Sequence, residues 1–331
     1  MRHLSSLGPF VLGVTLLCTQ ALGAQSERLP PPKLHHVGLN SVDPDAAIAW
    51  YLKLWPTAHR TTLAGQPGVE GEMLLLFTQV DHPPPGAWSD SLHRSEPQSA
   101  FWHIGASTNT TDIAVRLAPL GITHKPLYLR PTDTTHVWRA GLAPYAGLLT
   151  SAQLDTASAA APRDGGFSYI VAPDGVLFEL VGTPTTKDAF AHLHFFHSQP
   201  HCAANWYVEQ LGMLLPAGRS AVTPCDVAHA EPSWPSLERT GTSRQPSASV
   251  RFGNGTVSWY PRTGLVPSRG QVLDHVAFSV DDLDVILRRL RHNGVRVLAG
   301  PYDFGDSRAV MIEGPDGLSV ELVEARNDTA R

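Results

Sequence analysis

Apolar and polar positions along the chain fall into four stretches that open alike. They read LHHVGLNSVDPDAAIAWYLKLW from Leu34, FWHIGASTNTTDIAVRLAPLG from Phe101, AHLHFFHSQPHCAANWYVEQLG from Ala191 and LDHVAFSVDDLDVILRRLRHNG from Leu273. Each begins with a short run of apolar, β-forming residues around a histidine. It then crosses a polar turn and enters a segment whose apolar residues recur at helical spacing. In the fourth stretch Leu283, Ile286, Leu287 and Leu290 stand at i, i+3, i+4 and i+7, and Gly294 takes the place of a helix C-cap glycine. The predicted unit is a strand followed by an amphipathic helix, used four times.

The register favours a true repeat. His36 precedes Trp50-Tyr51 by the same 14 residues that separate His192 from Trp206-Tyr207. After the helices come shorter strand-like pieces. They are Met73 to Phe77, then Ala248, Val250 and Phe252 alternating with polar residues, and Val257 and Trp259 around Ser258. The second and fourth stretches close on a shared ending, APDGVLFELV from Ala172 and GPDGLSVELV from Gly314, in which a Pro-Asp-Gly turn leads into a strand. Glu179 and Glu321 each stand four residues past the glycine. The stretches are expected to pair first with second and third with fourth. That gives domains over Lys33 to Gly182 and Ala189 to Glu324, with TPTTK from Thr183 to Lys187 as the linker. His103 to Glu179 spans 76 residues and His275 to Glu321 only 46, so Leu127 to Gly165 reads as an inserted loop region. Val222 to Pro246, rich in Pro, Ser and Thr, reads as a second loop.

A first-strand histidine followed by an aromatic pair, together with the Pro-Asp-Gly-x-x-x-Glu-Leu ending, resembles the vicinal oxygen chelate superfamily, which includes glyoxalase I, extradiol dioxygenases and bleomycin-resistance proteins. The resemblance covers nearly the whole chain after its leader. It implies an α+β fold of four βαβββ modules paired into two domains, each with a curved mixed sheet cupping a metal. Carried over by position, it implies metal ligands at His36, His103 and Glu179 in the first domain and at His192, His275 and Glu321 in the second. Imidazole nitrogen and carboxylate oxygen suit Fe(II), Mn, Zn or Ni, and three protein ligands leave positions open for a small-molecule substrate. Neither Leu74 to Val80 nor Val250 to Tyr260 offers a carboxylate, so the four-ligand glyoxalase arrangement is not expected. Tyr169 stands where the tyrosine of the extradiol signature would, whereas Met311 holds that place in the second domain. The histidine expected shortly before that tyrosine is missing, with His124 and His136 as substitutes. His194 lies two residues after His192 and so shares its strand face, either as a proton carrier or as a polar lining residue. Three readings stand side by side. One is a metal-dependent enzyme of dioxygenase or lyase/isomerase type. The second is a non-catalytic small-molecule binder like the bleomycin-resistance proteins. In the third, one domain is only a structural partner, with Trp206 and Tyr207 filling its core.

Composition narrows the setting. The formal net charge is −5, and the arginines cluster only at Arg288, Arg289 and Arg291, which suits a solvated helix face and gives no nucleic-acid footprint. The basic start Met1-Arg2-His3, the apolar run Leu7 to Leu17 and the small residues Ala21-Leu22-Gly23-Ala24 have the layout of a secretory signal peptide over residues 1–24. The run is too short to span a membrane, so an exported protein, periplasmic or secreted, is expected. Cys202 and Cys225 remain in the mature chain, and an oxidising compartment would permit them to pair. Nothing in the sequence fixes the oligomeric state.

Overall fold

A computed structural model describes residues 29–127, 137–229, 237–238 and 244–325. The expected signal segment, His136 and parts of both insertions lie outside the described residues. Among these residues, no helix is long and apolar enough to cross a membrane.

Each of the four openings forms a strand and a helix. The first module comprises β1 (Lys33–Ser41), α1 (Pro44–Leu54), β2 (His59–Leu63), β3 (Gln66–Glu70) and β4 (Leu74–Gln79). A short hairpin, β5 (Ala87–Ser89) and β6 (Arg94–Glu96), leads to the second module. That module holds β7 (Phe101–Ser107), α2 (Thr110–Leu117), α3 (Ser151–Ala160), β8 (Gly166–Val171) and β9 (Leu177–Gly182). The third holds β10 (Ala189–His197), α4 (Pro200–Leu211), β11 (Ala248–Phe252) and β12 (Gly255–Pro261). The fourth holds β13 (Leu273–Val280), α5 (Leu283–His292), β14 (Val297–Phe304), β15 (Ser307–Glu313) and β16 (Ser319–Glu324).

The helices start where their polar caps stand. Asp43 accepts from the Ala46 amide at 3.0 Å and Asp282 from the Val285 amide at 2.8 Å, while Pro44 and Pro200 open their helices in the first turn. The α5 stripe Leu283, Ile286, Leu287 and Leu290 is buried as its spacing requires, and Gly294 follows the helix at φ +74°. Tyr51 and Tyr207, from the two aromatic pairs, are fully buried, Tyr51 against Trp55, Phe77 and Phe178 and Tyr207 against Trp259. Cys202 and Cys225 form a disulfide that ties α4 to the chain beyond it.

The pairing of modules differs from the expectation drawn from chain order. One sheet has the strand order β14-β15-β16-β13-β1-β4-β3-β2 and so joins the first module to the fourth. The other, β11-β12-β10-β7-β9-β8, joins the second to the third. In each sheet the two opening strands meet antiparallel at the centre. Sequence neighbours are held together by other means. The turn residue Asp174 accepts from the Val42 amide at the end of β1, and Asp316 accepts from the Ser198 amide at the end of β10. The Pro-Asp-Gly turns therefore clip second module to first and fourth to third, while α1 lies against α2 and α4 against α5. The main hydrophobic cluster draws on all four modules.

The insertion also differs from the loop expected. It carries the α3 helix, whose Thr150 and Gln153 form a reciprocal capping box, and a 3-10 segment over Arg139–Gly147. Among the described residues, two strands follow the helices in modules two and three, against three in modules one and four.

Candidate metal centres

Cross-pairing decides which histidines meet. Residues two apart on a strand share a face, and directly paired residues across a ladder share it too. On β1 and β13, Gly38 pairs with His275 and His36 with Ala277, and on the next ladder Ala277 pairs with Glu321. His36, His275 and Glu321 therefore project from one face of one sheet. The second sheet repeats the pattern. His194 pairs with His103, His192 with Gly105, and Gly105 with Glu179.

The sets carried over by chain order are corrected accordingly. His36 joins His275 and Glu321, and His192 joins His103 and Glu179, with His194 alongside. The residue types are those expected, but the first and third histidines exchange partners because the sheets join module one to four and two to three.

In the first centre, His36 Nε2 lies 3.2 Å from His275 Nε2 and 3.2 Å from Glu321 Oε2, and His275 Nε2 lies 3.9 Å from the same oxygen. All three side chains are buried. Ligands about 2.0–2.2 Å from a common cation would themselves stand roughly 3.0–3.5 Å apart, so the donor set fits a divalent ion. Glu321 Oε2 has no hydrogen-bond partner among the described residues, an expensive state for a buried carboxylate oxygen that a cation would relieve. Asp274 Oδ1 faces His275 Nδ1 at 2.7 Å, fixing the ring and leaving Nε2 toward the centre. Tyr302 donates to Glu321 Oε1, away from the converging oxygen. Phe304 stacks on His36 with ring centroids 5.5 Å apart.

Burial and the neighbouring imidazoles of His275 and His35 hold the His36 pKa well below its ordinary value. Burial would depress His275 as well, but the Asp274 carboxylate raises it. Burial raises the Glu321 carboxyl.

In the second centre, His103 Nε2 lies 3.0 Å from Glu179 Oε2 and 2.9 Å from His194 Nδ1, and His194 Nδ1 lies 3.6 Å from that oxygen. His192 Nε2 approaches Glu179 Oε1 at 3.7 Å and, although buried, has no hydrogen-bond partner among the described residues. Tyr169 donates to Glu179 Oε2 at 3.1 Å. It thus reaches the centre that holds Glu179, as its place in the ending implied. Burial works to raise the Glu179 pKa, yet the facing His192, His103 and His194 hold it well below the usual carboxylate range. Burial, then His192 and His103, keep His194 well below the ordinary imidazole value. Trp102, Phe196 and Tyr260 form an aromatic wall, with Tyr260 edge-on to the His194 ring at 5.1 Å.

His124 instead faces Ser168 Oγ at 2.6 Å, and His197 stands 3.7 Å from Asp316 beside the turn clip, so neither joins a centre. Sequence reading missed Asp274 and Tyr302. Asp274 precedes a site histidine, and neighbours on a strand point to opposite faces, which hides its reach around to Nδ1. Tyr302 comes from β14, where no signature places a tyrosine.

Residues 189–322 match the Glyoxalase/Bleomycin resistance protein/Dioxygenase superfamily. The chain carries a domain of this superfamily. That vicinal oxygen chelate domain runs through modules three and four, which lie next to each other in the chain and contribute to different sheets. The lactoylglutathione lyase of Salmonella typhimurium is 38% identical over 60 residues, 18% of this chain and 44% of the enzyme. That of Escherichia coli O157:H7 is 35% identical over the same length. The chain thus spans less than half the length of these curated relatives. Glyoxalase I from Zea mays superposes with a TM-score of 0.54 at 13% identity, over 88% of this chain and 92% of that one. A candidate dioxygenase from Bacillus subtilis gives 0.55 at 12% identity, over 89% and 86%. These are likenesses of fold, spanning both sheets.

Proposed function

We propose that the chain is an exported, metal-dependent vicinal oxygen chelate enzyme acting on a small oxygen-rich molecule, with dioxygenase-type chemistry ahead of lyase or isomerase chemistry. The observation that carries it is the convergence of buried and half-buried imidazole and carboxylate donors at equivalent places in two sheets. A divalent cation held there would act as a Lewis acid toward a carbonyl, enolate or catecholate oxygen.

This chain's own residues supply the rest. His36, His275 and Glu321 supply three donors, and a cation held by three protein ligands would keep coordination positions for substrate. Asp274 orients His275, and Tyr302 restrains the outer oxygen of Glu321. In the second centre the Tyr169 hydroxyl sits on the inner oxygen of Glu179, placed to hold a proton beside bound substrate. Trp102 and Phe196 keep bulk water from that side.

The order of reaction classes rests on the strand register. Leu76 pairs with Gly38, and Ser258 pairs with His194, at the ladder positions where Glu321 and Glu179 stand in their own modules. Neither centre has a second carboxylate there, which favours two-histidine, one-carboxylate chemistry. The 60-residue similarity to lactoylglutathione lyases is what supports the lyase or isomerase alternative. The apolar run at residues 7–17 and the Cys202–Cys225 disulfide support export.

Elemental analysis of the purified mature protein is the test, with His275→Ala and His103→Ala as separate variants and oxygen uptake followed over a panel of catechols. The native chain is expected to hold close to two ions, and each variant to lose one. A folded native protein that takes up no divalent metal after supplementation would overturn the enzyme reading.

A further inference from the structure

We propose that His194 is a fourth protein ligand of the second centre, making it a three-histidine, one-glutamate site unlike the first. This rests on the metal reading above and extends it to a residue that the superposed pattern of ligands does not include.

The two centres can be overlaid through their ladders. The His275–Gly38 pair corresponds to His103–His194, and the His36–Ala277 pair to His192–Gly105. His194 thus occupies the position held by Gly38 in the first centre. There the space belongs to the His275 ring, since a Cβ on Gly38 would stand 2.0 Å from His275 Cε1. In the second centre the corresponding space under the His192 ring is kept by Gly105, where a Cβ would stand 2.3 Å from Nε2. With the small residue moved to the opposite strand, a third imidazole enters.

The distances favour coordination over a simple hydrogen bond. His103 Nε2 is faced at once by Glu179 Oε2 at 3.0 Å and by His194 Nδ1 at 2.9 Å. A neutral imidazole nitrogen either donates or accepts. If Nε2 donates to the carboxylate it cannot accept from His194, and if it accepts from His194 it faces Glu179 Oε2 lone pair to lone pair, leaving that oxygen only the Tyr169 hydroxyl as donor. Both contacts are accommodated when the three atoms direct lone pairs at one cation. The triangle they form has edges of 2.9, 3.0 and 3.6 Å, more compact than the 3.2, 3.2 and 3.9 Å of the first centre. His192 Nε2, without a hydrogen-bond partner, faces the same carboxylate from its other oxygen. Ser258, across the ladder from His194, is engaged with Ser249 Oγ at 2.8 Å and offers no competing donor. The nitrogen-rich set leaves fewer positions for substrate and favours zinc, nickel or copper over manganese relative to the first centre.

X-ray absorption on the full mature chain loaded with two equivalents of zinc tests this by counting imidazoles. Five histidines over two ions are expected, His36 and His275 at one and His103, His192 and His194 at the other. His194→Ala should lower the count to four and weaken zinc at one site by at least about 100-fold, since loss of a ligand costs no less than the upper end of what loss of an outer-shell partner does. A native count of four, or a count that His194→Ala leaves unchanged, overturns the ligand role while leaving the metal reading intact. Zinc bound at neither site overturns both. Should His194→Ala not fold, the native count alone still decides between four and five.

Discussion

Gly38 shows how a residue with no side chain can build a site. Its backbone is not in the left-handed region, so alanine would be tolerated by the chain itself, and the obstacle is the His275 ring 2.0 Å from the added Cβ. Gly38→Ala should cost about 1–3 kcal/mol as overpacking. It should also remove one of two bound metal ions, checked by thermal melts and elemental analysis. Retention of both ions would show that His275 does not need that space. His124 makes a separate prediction. Burial lowers its pKa from 6.5 to about 4, so below pH 6.5 the unfolded chain binds this proton more readily than the folded one. The stability it contributes is complete above 6.5 and falls with acidification toward 4, by up to about 1.4 kcal/mol per pH unit. Urea melts at pH 7 and pH 5 should therefore show native protein losing more stability than His124→Asn. Equal losses would count against the shift.

At the level of elements, α5 was legible because its apolar stripe and its cap are both written in sequence. Leu287→Ala on its buried face should cost about 2–5 kcal/mol. Val285→Ala, at a position 37% exposed, should stay within about 0.5 kcal/mol. Denaturant melts compare the two, and similar losses would mean the helix is not seated on this face. The α3 helix was not legible as a stripe, since Ala157 is its buried residue and its alanines give no amphipathic contrast. The Thr150-x-x-Gln153 capping box was the available signal.

At the scale of the whole molecule, each centre needs both halves of the chain. His36 lies before the linker while His275 and Glu321 lie after it, and His103 and Glu179 lie before it while His192 and His194 lie after. A protease site placed in the linker at Thr185 and cut after folding should leave the two fragments associated, with both ions retained, as judged by gel filtration and metal analysis. Fragments that separate in native buffer with each keeping an ion would contradict the cross-paired sheets.

The sequence by itself determined the four strand–helix units, the buried face of α5, the two Pro-Asp-Gly strand turns and the identities of the histidines and glutamates that face inward. These follow from period, turn chemistry and side-chain alternation, which are local properties. It did not determine which histidine meets which glutamate. The openings of modules two and four are nearly equivalent as partners for β1, so the pattern cannot choose β7 or β13, and that choice belongs to long-range packing. Packing also made Gly38 the cradle of one ring and placed His194 in the corresponding position of the other centre. The chemistry of the two sites thus diverges at positions where the repeat had drifted by single residues, and only pairing across the sheet reveals what each change touches.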